Sequence, residues 1–356
     1  MTDVRKGQHA GKMSRAAFSA HFQRRFCDPR FESHRAAIMQ LETIAWSNYC
    51  EGRKAPRTHK AGQGFADPDY DLSDEWRSTC EAIAKAKISH ADPQSPSRVL
   101  LVCAADRNDG TCPGEMSKSW RLAREAEKIL LAATIDVDFL DLSELASEFG
   151  RKIFPCKACV STAMPLCHWP CSCYPNHSLG QADDWMAEIY ERLTQAHGLL
   201  IVTPVYWGQV PGSLKLMMDR LVCADGGNPD PSSTQGKDAE KAKAIELRGW
   251  SYPKHLAGRV YGVAVHGDTA DVEAVLAALT GWLDWTGFIS AGPQSQLARY
   301  IGYFEPYATS HQALDQDEAI VAEVHNVARA VAQAVFDRRA GRLELPDRDV
   351  QPPRLK

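Results

Sequence analysis

Short apolar runs alternate with stretches of helical spacing through the middle of the chain. The runs at residues 97–104, 135–140, 198–202, 259–265 and 288–291 predict strands, because each is too short for a buried helix. Apolar residues recur at helical spacing at 120–130, 214–222, 272–285 and 318–338. This alternation predicts an α/β fold: a doubly wound sheet of five parallel strands with helices on both faces.

The stretch 198–221 is the most informative part of this pattern. Its strand ends at Thr203 and Pro204, since proline cannot donate to a sheet ladder. Tyr206 and Trp207 then lie in a loop, and Pro211 starts the following helix. In doubly wound sheets, ligands bind outside the carboxyl ends of the strands, so this aromatic loop is a candidate binding site.

The first 96 residues show helical rather than strand periodicity. Helices are predicted at 31–49, with an apolar stripe that includes Leu41 and Ile44, and at 74–88, with Ser73 as N-cap. The basic stretch 53–60 between them is open to two interpretations, a contact with a phosphate-bearing cofactor or a solvated loop.

This pattern predicts three regions. They are a helical N-terminal extension at 1–96 that packs on the core or on a dimer partner, an α/β domain at 97–340, and a C-terminal tail at 341–356.

Loops after the first, third and fourth strands carry candidate ligands. Arg107, Ser117, Lys118 and Ser119 surround a predicted helix start, where free N–H groups and the helix dipole favour an anion. The other two loops contribute Pro204, Val205, Tyr206, Trp207 and Gly208, and His266, Gly267 and Asp268. Because the carboxyl ends of parallel strands meet at one edge, these loops are expected to form one site.

Five of the eleven cysteines fall within residues 156–173, at Cys156, Cys159, Cys167, Cys171 and Cys173. Four thiolates close in sequence are what a [4Fe-4S] cluster or a tetrahedral zinc site requires. Free or redox-active thiols are a third interpretation of the same segment. The spacing alone leaves all three open.

Composition narrows the function to small-molecule chemistry. A formal charge of −4 and a pI near 6.3 give no electrostatic case for binding nucleic acid. No apolar run approaches the roughly 20 residues of a membrane span, and the start has no apolar leader segment, which predicts a cytoplasmic protein without a membrane partner. Cysteines in that compartment indicate metal or redox chemistry rather than a disulfide framework.

The loop and helix after the third strand resemble the flavodoxin-like NAD(P)H-dependent FMN reductases and the related iron-sulfur flavoproteins. The resemblance lies in Thr203 to Trp207, followed by Gly212, Leu214-Lys215 and Asp219-Arg220. It implies a flavodoxin-like fold over residues 98–335, FMN as cofactor and NADPH or NADH as co-substrate. The phosphate loop departs from the family pattern, because Ala104-Ala105 replace its Gly-Ser pair.

The resemblance also implies roles for the loop residues. Arg107, Ser117, Lys118 and Ser119 would bind the FMN phosphate, Pro204 to Gly208 would contact the ring, and His266, Gly267 and Asp268 would approach its pyrimidine end. The flavin carries the chemistry, so no catalytic side chain is expected. The iron-sulfur members carry a compact cysteine motif at the position of residues 156–173, which implies a possible [4Fe-4S] cluster here, with zinc as the weaker alternative.

The predicted function is an FMN-dependent NAD(P)H oxidoreductase that reduces a small acceptor such as a quinone, a flavin, or a nitro or azo compound. One alternative is an iron-sulfur flavoprotein that carries electrons to a redox partner protein. Another is a non-enzymatic thiol or metal sensor. A homodimer or homotetramer is expected.

Overall fold

The computed structural model describes residues 5–7, 11–303 and 306–343. Its strands are β1 Arg5–Lys6, β2 Arg53–Ala55, β3 Thr58–Lys60, β4 Asp71–Ser73, β5 Arg98–Cys103, β6 Asp136–Asp141, β7 Gly198–Pro204, β8 Val260–Gly267, β9 Ile289–Ser290 and β10 Gln296–Tyr300. Its α-helices are α1 Arg15–Gln23, α2 Arg35–Glu51, α3 Asp74–Ala91, α4 Lys118–Ala132, α5 Glu144–Ser147, α6 Met186–Gln195, α7 Gly212–Arg220, α8 Ala239–Leu247, α9 Val272–Trp285, α10 Ser310–Gln316 and α11 Glu318–Arg339. None of these helices is long and apolar enough to cross a bilayer. Residues 344–356 of the predicted tail lie outside the described residues.

The chain divides into two compact units, each assembled from three separate segments. The first unit comprises Met1–Ala84, Gly150–Tyr190 and Leu216–His255, and the second comprises Lys85–Phe149, Glu191–Lys215 and Leu256–Lys356. This division differs from the boundaries expected after residues 96 and 340, because two internal segments group with the N-terminal residues. The expected boundaries stay a prediction.

The second unit contains the predicted parallel sheet. Its strand order is β6-β5-β7-β8-β10, and each adjacent pair is parallel. Numbered along the chain, this is the order 2-1-3-4-5 of flavodoxin-like folds. Every residue of β7 is buried, which requires that both faces of the sheet be covered. The predicted fold class is therefore confirmed.

The last strand differs from its prediction. Only Ile289 and Ser290 of the predicted run pair with β8, and Gly292 and Pro293 then interrupt the strand. Pairing with β8 resumes along β10, which the apolar pattern did not indicate. As an edge strand, β10 buries only Leu297, and its other four residues are half-buried or exposed, so it lacks a continuous apolar run.

The core of the second unit lies between the sheet and two helices. Leu122 and Ala126 of α4 and Val331 and Val335 of α11 belong to the same buried cluster as β5, β7 and β8. At its end, α11 carries Arg339, whose guanidinium donates to the carbonyl oxygens of Asp92 at 3.0 Å and Ser95 at 2.7 Å. The C-terminal helix thus fastens the segment that leads into β5.

The N-terminal part of the first unit is helical, as predicted, but it packs differently from the expected stripe. In α2, Ile38 is buried, whereas Leu41 and Ile44 are 54% and 60% exposed. Instead, Trp46 and Tyr49 each pack against Phe18 of α1, with ring centroids 5.2 Å apart. The predicted cap is confirmed, since the Trp76 N–H donates to Ser73 Oγ at 3.3 Å. The basic stretch 53–60 forms β2 and β3.

Close packing of β8 against α11 predicts the effect of replacing one glycine. A Cβ on Gly262 would lie 2.5 Å from Val331 Cγ2 and 3.2 Å from the carbonyl oxygen of Ser295. We expect Gly262→Ala to lower the free energy of unfolding by about 1–3 kcal/mol, measured by urea denaturation. Gly281 in α9 has open space around it, so Gly281→Ala is the matched control and is expected to stabilise by about 0.5–1 kcal/mol. Equal effects of the two substitutions would contradict this packing.

A buried histidine in the second unit predicts an acid-sensitive fold. His197 Nδ1 accepts the Arg98 N–H at 3.0 Å, and burial, together with nearby His90 and Arg339, lowers the pKa of His197 to about 4. Between pH 4 and 6.5 the unfolded chain therefore binds more protons, so stability rises with pH across that window. We expect wild type to lose on the order of 3 kcal/mol from this group between pH 7 and pH 4.

His197→Asn is expected to flatten that pH dependence, measured by urea denaturation at several pH values. His21 is exposed on α1, and His21→Asn serves as the control that keeps the wild-type slope. An unchanged slope in His197→Asn would refute the assignment.

Candidate functional site

Three loops leave the carboxyl edge of the sheet in the second unit, after β5, β7 and β8. Register places Cys103 opposite Val202 and Pro204 opposite His266, so the three strands end at nearly the same level. The predicted loop residues are therefore gathered at one edge, as expected for a ligand site of this fold.

The start of α4 presents unused donors in the loop after β5. Ser117 caps the helix, its Oγ accepting the Trp120 N–H at 3.1 Å, while the backbone N–H groups of Lys118 and Ser119 meet no acceptor in the described part of the chain. Lys118 is half-buried and forms no ion pair with a described residue, and burial lowers its pKa. The carboxylates of Asp268 and Glu115 act on it electrostatically without a direct ion pair. Free amides, a helix dipole and an ammonium group without a direct ion-pair partner together suit a phosphate.

Arg107 is held within its own loop. Its guanidinium pairs with Glu115 at 3.0 Å and approaches His311 Nε2 at 3.3 Å. Part of the charge expected for a phosphate is thus compensated by a carboxylate. Sequence reasoning missed Glu115 and His311, and no spacing signal connects His311 to a loop two hundred residues earlier.

His266 joins the loop after β8 to the start of α4. Its Nε2 lies 2.8 Å from Ser119 Oγ, and both side chains are buried. Burial, assisted by the charge of Lys118, lowers the pKa of His266 to about 3, so the ring is neutral at physiological pH. His266 therefore contacts Ser119 in this structure, and its approach to the pyrimidine end of a flavin stays a prediction. Asp268 is exposed and accepts the Tyr307 hydroxyl at 2.7 Å.

The aromatic loop after β7 is a tight turn. The Tyr206 N–H donates to the Gln209 carbonyl at 2.8 Å, and the Gln209 N–H donates to the Tyr206 carbonyl at 3.1 Å. The two central residues, Trp207 and Gly208, have φ values of 52° and 70°. Trp207 is fully exposed and holds a backbone conformation rare for a residue with a Cβ.

This turn limits which backbone donors can reach a flavin ring. Val205 N–H donates to the His266 carbonyl at 3.0 Å, and Tyr206 N–H is committed to the turn. The N–H groups of Trp207 and Gly208 have no acceptor among the described residues. A Cβ on Gly267 would lie 3.2 Å from Val205 Cβ, so glycine there allows the loops after β7 and β8 to pack closely.

The five cysteines of residues 156–173 line one cavity of about 1040 Å3 in the first unit. The sulfur atoms of Cys159 and Cys173 are 3.4 Å apart. Their contact lowers the pKa of Cys159 and raises that of Cys173, while burial raises the pKa of Cys167. Within the described ranges, no three or more His, Cys, Asp or Glu side chains are arranged to hold a metal ion.

A buried ion pair lies beside this cavity. Arg220, whose side chain is fully buried, donates to both carboxylate oxygens of Asp184 at 2.9 and 2.6 Å and to the Phe154 carbonyl at 3.0 Å. Its guanidinium also stacks over the Tyr174 ring at 4.7 Å. The sequence contained this arginine within a motif, but nothing in its spacing indicated a partner 36 residues upstream.

Comparison with known proteins agrees with this geometry. Three curated iron-sulfur flavoproteins match, among them one from Methanosarcina thermophila, 32% identical over 117 residues, and one from Archaeoglobus fulgidus, 39% identical over 79 residues. These matches cover 30% and 21% of this chain and 50% and 34% of the relatives, so the chain spans half or less of their length.

Solved flavoenzymes are more distant. RosB with a bound 8-demethyl-8-formylriboflavin-5'-phosphate intermediate aligns with 70% of this chain and 82% of its own, at 12% identity and a TM-score of 0.48. FerB, an NAD(P)H:(acceptor) oxidoreductase from Paracoccus denitrificans, aligns with 68% of this chain and 98% of its own, at 13% identity and a TM-score of 0.38.

The family match covers more of the chain than the curated relatives do. Residues 97–300, more than half of the chain, match the family described as NADPH-dependent FMN reductase. This segment contains the strands and loops of the carboxyl edge described above. The chain belongs to the NADPH-dependent FMN reductase family.

Proposed function

We propose that this protein is an FMN-dependent NAD(P)H oxidoreductase. The observation that carries the proposal is the Lys118 ammonium at the start of α4, which has no direct ion-pair partner among the described residues and lies beside two free backbone amides at the ligand-binding edge of the sheet. Family membership supports the same conclusion.

The residues at this edge divide into two groups by their chemistry. Lys118, the amides of Lys118 and Ser119, and the hydroxyls of Ser117 and Ser119 would hold the FMN phosphate, with neutral His266 fixing the direction of the Ser119 hydroxyl. Tyr206, Trp207 and Gly208 would contact the ring. When bound, FMN supplies the redox chemistry between a nicotinamide cofactor and an acceptor.

Arg107 is a conditional member of the phosphate site. Its ion pair with Glu115 is part-exposed, and such pairs contribute little to stability. The guanidinium can exchange Glu115 for a phosphate at small cost. The predicted contact of Arg107 with the FMN phosphate therefore remains part of the proposal.

The acceptor we propose is a small molecule such as a quinone, a flavin, or a nitro or azo compound. The fully exposed Trp207 supports this choice, because an aromatic side chain at the rim of the loop can stack on a planar acceptor. NADPH or NADH would use the same open side. We further propose a homo-oligomer, as the sequence predicts.

Lys118→Met tests the phosphate assignment. Loss of a charge-assisted contact is expected to weaken FMN about 10- to 100-fold and to leave riboflavin affinity unchanged, measured by quenching of flavin fluorescence. Lys128, on the same helix and paired with Glu125 at 2.5 Å, provides the matched control Lys128→Met, which should bind FMN as wild type does.

Two outcomes would contradict the function itself. Wild-type protein that stays colourless after incubation with FMN would remove the cofactor, and bound flavin that NADPH and NADH fail to bleach under anaerobic conditions would remove the oxidoreductase activity. An equal loss of FMN and riboflavin affinity in Lys118→Met would reassign Lys118 to the ring.

A second candidate function is an iron-sulfur flavoprotein that transfers electrons to a partner protein. The supporting observation is that all five cysteines of residues 156–173 line one cavity, and such a cluster needs four thiolates. Among the described residues these side chains are not arranged around a metal position, so the thiolates would have to move together to hold a cluster. Three curated matches with that name support it as well. A cluster there would supply one-electron transfer.

Metal analysis of anaerobically purified protein tests this second candidate. We expect iron and acid-labile sulfide in wild type, with both reduced severalfold in Cys159→Ser and Cys173→Ser because each removes a thiolate ligand. Cys27, exposed on the N-terminal segment, gives the control Cys27→Ser, which should retain both. Folded wild-type protein without iron would eliminate the cluster, and zinc in its place would indicate a structural metal site.

A further inference from the structure

The N-terminal segment forms one wall of the cysteine cavity. Lys6, Lys12, Tyr49 and Lys54 line it together with the cysteines, although none of these four lies in the family-matched residues 97–300. At about 1040 Å3 the cavity lies at the upper end of the range typical of small-molecule pockets, roughly 300–1,000 Å3. Its size therefore admits an organic ligand.

Specific hydrogen bonds hold this wall in place. Lys237 Nζ, which also lines the cavity, donates to the Gly7 carbonyl at 2.9 Å. Lys54 Nζ donates to the carbonyl of Ser172, between two of the cysteines. The N-terminal segment is thus a built part of the cavity.

The wall carries an excess of positive charge. Asp67, Asp69 and Asp71 are the acidic residues among the described lining, and basic side chains outnumber them. Two of the three are engaged, since Asp67 accepts the Gln235 amide at 2.6 Å and Asp71 pairs with Lys60 at 3.2 Å. In contrast, Lys6 and Lys12 pair with no carboxylate in the described part of the chain.

One amide donor that lines the cavity lacks an acceptor. Asn176 is 5% exposed; its Oδ1 accepts the Ser178 hydroxyl at 2.7 Å, but its Nδ2 donates to no described residue. Arg220 also lines the cavity, but its guanidinium is committed to Asp184 and the Phe154 carbonyl, and its Nε is sealed from solvent. An amide donor without an acceptor is costly in a largely buried residue, so Asn176 indicates that a ligand supplies the acceptor.

We propose that this cavity binds a small organic anion bearing carboxylate or phosphate groups. Asn176 Nδ2 donates to one of its oxygen atoms, and Lys6 and Lys12 provide the compensating charge. The cysteines of the opposite wall face the same bound molecule. This site is independent of the proposed FMN-dependent activity, because every residue that forms it belongs to the first unit and none is assigned to FMN. It shares its cysteine wall with the second candidate function.

Calorimetric titration of the full chain with pyrophosphate and, separately, citrate tests the proposal. FMN is kept saturating so that neither probe enters the flavin phosphate site, and iron and sulfide are quantified in the same sample so that the state of the cysteines is known. We expect binding that weakens with added KCl, and the tighter of the two probes identifies phosphate or carboxylate as the preferred group.

Variants assign the binding to these residues. Lys6→Met/Lys12→Met and Asn176→Ala are each expected to weaken the preferred probe about tenfold while far-UV circular dichroism stays that of wild type. Lys128→Met/Lys243→Met removes the same charge from helices outside the cavity and should bind normally. The site is refuted if wild type binds neither probe at millimolar concentration, or if the control variant loses as much affinity as the cavity variants.

Discussion

The parallel register of β5, β7 and β8 is the constraint on which the candidate flavin site depends. It brings the ends of three strands to one level, and it points the His266 side chain at Ser119 of α4. Successive side chains in a strand face opposite sides of the sheet, so a shift of β8 by one residue would turn His266 to the other face. Because β8 is buried on both faces, burial alone does not choose between registers. The contact of Gly262 with Val331 does, since a slip of one residue would put a side chain where only glycine fits.

The fold was largely predictable because its signals are local. The continuous apolar runs of β5, β7 and β8 and the helical spacing of α9 and α11 each need only a short window of sequence. The strand β10 escaped prediction because an edge strand buries one face only. The apolar stripe of α2 was a poor guide to which side chains are buried, because Leu41 and Ile44 belong to the same stripe as Ile38 yet remain exposed.

The site was predictable in its members but less so in their contacts. Sequence order placed Ser117, Lys118 and Ser119 at a helix start, and the structure agrees. Sequence order could not indicate that the N–H groups of Val205 and Tyr206 donate to the carbonyl oxygens of His266 and Gln209, because such pairings depend on the geometry of one turn. The partners of Arg107 and Arg220 are separated from them by sequence distances that no periodicity encodes.

Two basic groups show opposite solutions to the cost of burying charge. Arg220 is fully buried, and its bidentate contact with Asp184 compensates its charge within the first unit. Lys118 in the second unit is half-buried without such a partner. The first arrangement is a structural pair, since removing either member would leave an isolated charge, whereas the second leaves charge available for a ligand. Arg220 is therefore a structural residue, whereas the charge of Lys118 can bind a ligand.

The hydrogen bonds from Arg339 to the segment before β5 bear on how the chain folds during synthesis. The helix α11, which carries Arg339, packs on the same core as β5. Because α11 lies near the end of the chain, β5 leaves the ribosome long before the helix that covers it is synthesised. Each unit is also interrupted by segments of the other, so neither can be completed as an uninterrupted stretch of nascent chain. Folding during synthesis therefore leaves apolar strands exposed until the last helix emerges, which makes the growing chain dependent on protection from aggregation. A chain trimmed to the family-matched residues 97–300 would keep that exposure permanently, because α11 lies beyond its end.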